Sequence, residues 1–164
     1  EMCIRDSIRV AHVSGDTSTV FGAARLAGYR NALDAFGIDF DPSLVLGGSF
    51  DRSAAELATR ELLSAPVPPT AVFAANDVLA VGVLRACSRA GLELPMSMSV
   101  IGIDNTRESE VVSPGLTTMD PHPSSIAERL VELLTSRMAV PSLAARRELV
   151  GASLVERAST HRLV

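Results

Sequence analysis

The chain has 164 residues, 47% of them hydrophobic and 21% charged, and a formal net charge of −4 at pH 7. This composition is typical of one globular domain with a core, and no run of about 18 apolar residues predicts a membrane span. The acidic balance argues against a nucleic-acid-binding face, no secretory signal is evident, and the two cysteines, Cys3 and Cys87, are too few for a disulfide framework.

Residues 1–7 are set apart from the fold reasoning. They resemble the translation of a transposase adaptor used in sequencing libraries, and we expect them to be an artefact. On this interpretation the natural protein begins further upstream and the chain is a fragment.

Strands and helices are predicted to alternate along the first two thirds of the chain. Apolar runs predict strands at 8–13, 44–46, 70–75 and 98–103, and helical spacing predicts helices at 23–36, 53–64 and 78–90. The first helix is expected to bury Leu26, Tyr29, Leu33 and Phe36, a capping box at 53–56 to begin the second, and Asn76 or Asp77 to cap the third. This order with short connections predicts a parallel, doubly wound α/β sheet with helices on both faces.

The regular alternation of predicted strands and helices ends after residue 104. An irregular stretch at 106–115 is expected to lead into a short strand at 116–119. A second capping box at 125–128 predicts a helix. Two short strands, at 147–150 and 154–157, are expected to complete the chain. The inward face of the predicted helix would carry Ile126, Leu130, Leu133, Leu134 and Met138.

The predicted carboxyl ends of the four parallel strands carry polar and aromatic residues. They are Asp16, Phe50, the pair Asn76 and Asp77, and the pair Asp104 and Asn105. Carboxylates and amides bind paired hydroxyls and a ring packs on the apolar face of a sugar or base, so this edge suits a polyhydroxylated ligand. The alternative is that the Asp and Asn residues are simply turn and cap residues.

Catalytic and metal-binding patterns are weak in this sequence. His12, His122 and His161 lie far apart without metal-ligand spacing, and His12 is expected to be a core or edge histidine. There is no Gly-x-Ser-x-Gly elbow and no phosphate loop, and Cys87 is expected to pack rather than react. We therefore expect a binding protein rather than an enzyme, without a cofactor or metal.

Eight short motifs occur in an order that resembles one known family. Together they resemble the carboxyl-terminal part of the effector-binding region of LacI/GalR-type transcriptional regulators, over nearly all of residues 8–160. The motifs are Arg25-Leu-Ala-Gly-Tyr29, Gly48-Ser-Phe50, Pro69-Thr-Ala-Val-Phe-Ala-Ala-Asn-Asp77, Val81-Gly-Val-Leu-Arg85, Gly91-Leu-Glu-Leu-Pro95, Ser99-Val-Ile-Gly-Ile-Asp-Asn105, Ser113-Pro-Gly-Leu-Thr-Thr118 and Leu154-Val-Glu-Arg-Ala-Ser159.

The resemblance implies a type I periplasmic-binding-protein-like fold, in which two α/β subdomains close over a small effector. Residues 8–119 and 146–160 would form the carboxyl-terminal subdomain. Residues 120–145 would form a crossover and a helix of an incomplete amino-terminal subdomain, and 161–164 a tail.

The resemblance also implies roles for particular residues. Arg25 would bracket ligand hydroxyls, Phe50 would stack on the ligand, and Asn76 and Asp104 would bind hydroxyls. Asp16 is a further candidate because it lies at the predicted end of a strand. Thr19 and Phe21 are candidates because they lie in the loop before Arg25, where family members also have ligand-binding residues. Pro121 stands where many relatives have Gln, which puts one ligand contact in doubt.

The implied function is effector binding, usually of a sugar, and homodimerisation in a cytoplasmic repressor that reaches DNA through a head absent here, with no membrane role. An exposed apolar face on the helix at 54–64 or 78–90 would fit the dimer. One alternative is a periplasmic sugar-binding protein of a transporter, which a signal peptide upstream would favour. Another is an α/β enzyme such as a hydrolase, which turnover lost on replacing Asp104 would favour.

Overall fold

The computed structural model describes residues 9–161, and its six strands form a single sheet. Their order across the sheet is β2-β1-β3-β4-β5-β6. The strands are β1 (Val10–Ser14), β2 (Val45–Gly47), β3 (Ala71–Ala74), β4 (Ser99–Ile103), β5 (Thr117–Asp120) and β6 (Ser153–Val155).

Five α-helices connect these strands, and a short 3-10 turn at Pro42–Leu44 precedes β2. The helices are α1 (Val20–Ala35), α2 (Arg52–Leu63), α3 (Asp77–Arg89), α4 (Arg107–Val111) and α5 (Pro123–Ala139). The predicted alternation of strands and helices is confirmed through β4. The stretch 106–115, expected to be irregular, contains the short helix α4, which Thr106 caps through a hydrogen bond to the Ser109 amide.

The sheet is parallel across its first five strands. Neighbouring pairs run parallel from β2 to β5, and only the edge strand β6 pairs antiparallel, with β5. The prediction of a parallel α/β sheet is therefore confirmed. Connections of this kind place every parallel carboxyl end along one edge, where α1, α2 and α3 begin.

The main core lies between the sheet and the pair α2 and α3. Alternate residues of the central strands, such as Val72 and Val100, pack there against Leu79 and Val83 of α3. Helix α3 approaches α2 closely because Gly82 has no side chain: a Cβ atom there would lie 2.5 Å from the Arg52 carbonyl oxygen. The strong apolar pattern of α3 reflects this burial on several sides.

Helix α1 covers the opposite face of the sheet. The His12 ring stacks between the rings of Tyr29 and Phe73, at centroid distances of 5.1 and 4.8 Å. The predicted burial of Tyr29 and Leu33 is confirmed, whereas Phe36 is 82% exposed. Phe36 is the C-cap residue and lies beyond the turns that pack on β1, and the chain then bends away through Gly37 at φ +67°.

Both predicted capping boxes are wrong in detail, because a stronger starting signal lies upstream of each. Asp51 caps α2 by accepting a hydrogen bond from the Ala54 amide at 2.8 Å, so Ser53 lies inside the first turn. Helix α5 begins at Pro123, a residue suited to the first helical position, and His122 before it makes no side-chain cap. By contrast, Asn76 caps α3 as expected.

The end of the chain departs most from the sequence expectations. Helix α5 has no buried residue, and Leu130, Leu134 and Met138 are exposed although they were expected to face inward. The predicted strand at 147–150 is not present: these residues are not in strand conformation, and they pair with no strand among residues 9–161. The predicted strand at 154–157 forms, but as β6 at Ser153–Val155.

Candidate ligand-binding site

The strand register brings the predicted site residues to one edge of the sheet. Ser14 pairs with Gly47, Val13 with Ala74, and Ile103 with Met119, so the chain leaves all five parallel strands on the same side. The polar residues that follow these strands therefore share that edge.

Arg25 and Asp104 are in direct contact at this edge. The Arg25 Nη2 atom lies 3.3 Å from Asp104 Oδ1, although 79 residues separate the two in sequence. Burial raises the pKa of the Asp104 carboxyl, Arg25 acts against this rise, and the nearby Asp77 carboxylate adds to it. The pair presents a carboxylate and a planar guanidinium side by side, a combination that can accept from and donate to adjacent hydroxyls.

Asn76 and Asp77 have different roles, although they are neighbours in sequence. Asn76 is partly exposed, and its Oδ1 accepts a hydrogen bond from the Leu79 amide, which leaves its side-chain NH2 for a ligand. Asp77 is buried and accepts from the Thr118 hydroxyl at 2.6 Å and the Thr106 amide at 2.8 Å. Asp77 therefore links the start of α3 to strand β5 and to the loop after β4.

Phe50 lies over Gly15, the residue that follows β1. A Cβ atom at Gly15 would lie 2.1 Å from the Phe50 ring, so only glycine lets the ring sit so close to the backbone. One side of the ring is supported in this way while the side chain stays partly exposed. This is the arrangement that stacking on a ligand requires.

The loop before Arg25 holds the remaining predicted residues. Asp16 accepts from the Ser18 amide, and its hydrogen bonds to Ser18 hold its pKa below the ordinary value. The Thr19 hydroxyl caps α1 and donates to the Asp16 carbonyl, so it is engaged in the fold. Phe21 is 71% exposed in the first turn of α1.

The structure also shows polar residues that sequence reasoning did not single out. Asp120, at the carboxyl end of β5, accepts from Asn105 at 3.0 Å, and Arg157 donates to the same Asn105 at 2.7 Å. Arg157 lies 52 residues from its partner in sequence, and although it stands in the motif at 154–159, that motif indicated no role for it. Among residues 9–161 no group of three or more His, Cys, Asp or Glu could hold a metal ion.

The histidine and cysteine expectations are confirmed at two positions. His12 is a fully buried core residue, and Cys87 packs beside Met98 with its sulfur 3.8 Å from the Met98 sulfur. Burial raises the pKa of the Cys87 thiol to about 11, which keeps it protonated and unreactive. Within the described part of the chain no helix is both long and apolar enough to cross a membrane.

Comparison with known proteins identifies the class of this fold. The sequence model of the periplasmic binding protein-like domain matches residues 6–160. The chain belongs to this family, in the form found in LacI-type transcriptional regulators.

Particular relatives make the comparison more specific. The ribose operon repressor of Escherichia coli (strain K12) is 33% identical over 151 residues, which are 92% of this chain and 46% of that protein. The structure of the transcriptional regulator CelR in complex with cellobiose superposes with a TM-score of 0.87 at 30% identity, over 96% of this chain and 48% of that one. The Lac repressor dimer bound to operator and the anti-inducer ONPF gives 0.84 at 29%, over 93% and 52%. The chain thus spans about half the length of the relatives it matches.

Proposed function

We propose that this chain is the carboxyl-terminal part of an effector-binding domain and that its ligand is a small, uncharged, polyhydroxylated molecule such as a sugar. The contact between Arg25 and Asp104 carries this proposal, because it places a paired donor and acceptor at the open edge of the sheet. Phe50, partly exposed beside the same edge, supplies a surface for the apolar face of a sugar ring. Asn76 adds a free amide donor, and Asp16, Thr19 and Phe21 border the site.

The charges at the edge favour a neutral ligand over a phosphorylated one. Asp16 and Asp104 follow β1 and β4, and Asp120 is the last residue of β5, whereas Arg25 is already paired with Asp104. A phosphate group would meet these carboxylates, and the Arg25 guanidinium at the site is already paired with one of them. An uncharged polyol can instead form hydrogen bonds to the carboxylates without bringing a further negative charge beside them.

The exposed face of α5 supports the proposed division into subdomains. Residues 8–119 and 146–160 would form one subdomain, and 120–145 would cross to a second. Leu130, Leu134 and Met138 lie exposed on α5, a helix without a buried residue, so the helix has apolar surface to pack on that second subdomain. A split site of this kind closes around its ligand only when both halves are present.

The whole protein is proposed to be a cytoplasmic transcriptional repressor rather than an enzyme, because the relatives described above are named as repressors and regulators. Its DNA-binding head would lie outside this chain. Unequal affinity of the effector for two subdomain arrangements would then bias DNA binding. Homodimerisation would use this subdomain, and Leu57, exposed on α2, offers apolar surface for it, whereas the apolar residues of α3 are mostly buried.

The test is replacement of Asp104 by Ala in the complete protein encoded by the gene. We expect the variant to lose effector binding by about tenfold or more, since a charge-assisted hydrogen bond to a hydroxyl is removed. Operator binding should be unchanged. Isothermal titration with a panel of neutral sugars, nucleosides and sugar phosphates measures the first quantity, and a gel-shift titration measures the second.

Asp34→Ala on the exposed face of α1 is the matched control, because it removes a carboxylate from the same subdomain away from the strand ends. Normal effector binding by the Asp104 variant would contradict the assigned role. Tight, sub-micromolar sugar binding by the 164-residue chain alone would contradict the split site, and preference for a sugar phosphate would contradict the charge argument.

A further inference from the structure

Two consecutive residues at the proposed site have an unusual backbone conformation. Asp104 has φ +118° and Asn105 has φ +47°, and neither is glycine. Such conformations are costly for residues with a side chain, and they persist only where neighbouring groups hold the chain in place. The hydrogen bonds of Asn105 show which groups do so.

Asn105 uses both ends of its side-chain amide and its backbone amide. Its side-chain nitrogen donates to Asp120 Oδ2 at 3.0 Å, and its side-chain oxygen accepts from Arg157 Nη2 at 2.7 Å. Its backbone amide lies 3.3 Å from the Thr118 hydroxyl, which accepts from it. The nitrogen of the amide donates to the carboxylate and its oxygen accepts from the guanidinium, so the two partners fix its orientation.

The two side-chain partners of Asn105 lie on either side of α5 in sequence. Asp120 lies where the chain leaves β5, and Arg157 lies just after β6. Asp120 is the last residue of β5, and its other oxygen accepts from the His122 amide at 2.7 Å, immediately before α5. Arg157 follows β6 and also donates to the Leu116 carbonyl at 2.8 Å and to the Ser109 hydroxyl at 3.2 Å. The Asn105 side chain thus links the loop after β4 both to the turn before α5 and to the segment after β6.

We propose that Asn105 is a positioning residue that links the Asp104 loop to the start of α5, through its hydrogen bond to Asp120. A change at Asp104, such as ligand binding, moves the adjacent Asn105, and Asn105 transmits it to the Asp120–His122 turn. The ligand part of this statement rests on the proposed function, but the link itself does not. The hydrogen bonds of Asp120 to the His122 amide and Asn105 hold its pKa below the ordinary value, as expected of an ionised acceptor.

The test begins with Asn105→Asp in the 164-residue chain. This change keeps the size of the side chain, removes the donor to Asp120 and sets a second carboxylate against it. We expect solvent exchange of the His122 amide hydrogen, measured by NMR, to become about tenfold faster, because its acceptor loses its support. Asp120→Asn alone is the second single variant.

The reciprocal double variant, N105D with D120N, restores the link with its polarity reversed. The new carboxylate at 105 accepts from Arg157 and from the new amide at 120, whose oxygen still accepts from His122. We expect His122 exchange to return to within about twofold of the parent chain. Asp41→Asn is the matched control, since Asp41 accepts from the Ser43 amide at 2.9 Å in the same turn geometry but outside this network.

Two outcomes would overturn the proposal: unchanged His122 exchange in the Asn105→Asp chain, or a double variant that exchanges at least as fast as the singles. Thermal unfolding midpoints of the same proteins provide a second readout if a single variant folds poorly, because rescue by the double variant supports the link and additive losses refute it. No effector is used in either measurement. The proposed link can therefore be disproved while effector binding at Asp104 is confirmed, and the link can be confirmed while effector binding at Asp104 is disproved.

Discussion

At the scale of single residues, His12 shows how a polar group is accommodated in the core. Its ring is fully buried between Tyr29 and Phe73, and its Nδ1 lies 2.9 Å from the Phe73 carbonyl oxygen. Because a carbonyl only accepts, Nδ1 carries the proton in the neutral ring. Nε2 is buried and makes no hydrogen bond within the described residues. A second proton would therefore be buried at Nε2 without an acceptor.

This arrangement predicts that the chain loses stability in mild acid. Burial lowers the pKa of His12 below its ordinary value of 6.5, although the Phe73 carbonyl opposes this in part. The unfolded chain then binds the proton at higher pH than the folded chain does, so the His12 contribution to stability is constant well above pH 6.5 and decreases as the pH falls through that value. For one proton the slope is at most about 1.4 kcal/mol per pH unit.

Urea unfolding of the parent chain and of His12→Phe between pH 7.5 and 5 measures this effect. The free energy of unfolding should decline less steeply in the variant, whatever its absolute stability. His161→Phe, at an exposed position, should keep the slope of the parent chain. Equal slopes for the parent and the His12 variant would show that His12 does not control the acid response.

At the scale of elements, α1 contains glycines in two opposite environments. Gly28 has no atom within 4 Å of where a Cβ atom would lie, whereas a Cβ at Gly22 would lie 2.1 Å from the Asp16 carbonyl oxygen. Gly22 is therefore needed for the close approach of the helix to the loop after β1. Gly28 serves no such contact and only lowers the helix propensity.

Replacing each glycine by alanine should give effects of opposite sign. We expect Gly28→Ala to raise the free energy of unfolding by about 0.5–1 kcal/mol, because the unfolded backbone loses freedom. Gly22→Ala should lower it by about 1–3 kcal/mol, because the Asp16 backbone must move. Chemical denaturation of both variants measures these changes, and a stable Gly22→Ala chain would refute the close approach.

At the scale of the whole molecule, the described residues form a sheet with a well-packed core beside one helix that buries nothing. Leu79 of α3 is fully buried in the core, whereas Leu134 of α5 is 60% exposed. Both leucines lie on apolar faces with helical spacing, so this spacing alone does not distinguish them. The difference in burial comes from whether another element packs against the helix face that carries the leucine.

Substitution at these two leucines should separate the roles of their helices. In the 164-residue chain, Leu134→Glu should change the free energy of unfolding by less than about 0.5 kcal/mol, because the side chain is already largely exposed. Leu79→Ala should cost about 2–5 kcal/mol. Denaturant titration of both variants tests this, and marked destabilisation by Leu134→Glu would show that α5 packs within the chain. In the complete protein the proposed subdomain contact predicts that Leu134→Glu is destabilising.

The sequence alone determined the order and type of the main elements. Short apolar runs and helical spacing repeat from residue 9 to Ile103, and Asn76 caps α3 where expected. The same pattern indicated which residues follow the strands, so the shared edge of Asn76 and Asp104 could be inferred. Which capping residue begins a helix was less predictable, because Asp51 and Ser53 are both suitable N-cap residues and lie only two positions apart.

Only the tertiary structure decided which of these residues meet. The pairing of Arg25 with Asp104, and of Asn105 with Asp120 and Arg157, joins positions far apart in sequence, and no local periodicity encodes such contacts. The same holds for burial: an apolar stripe such as that of α5 indicates that a helix can pack, but packing needs an opposing surface. Local patterns depend on neighbours along the chain, whereas partners and burial depend on neighbours in space.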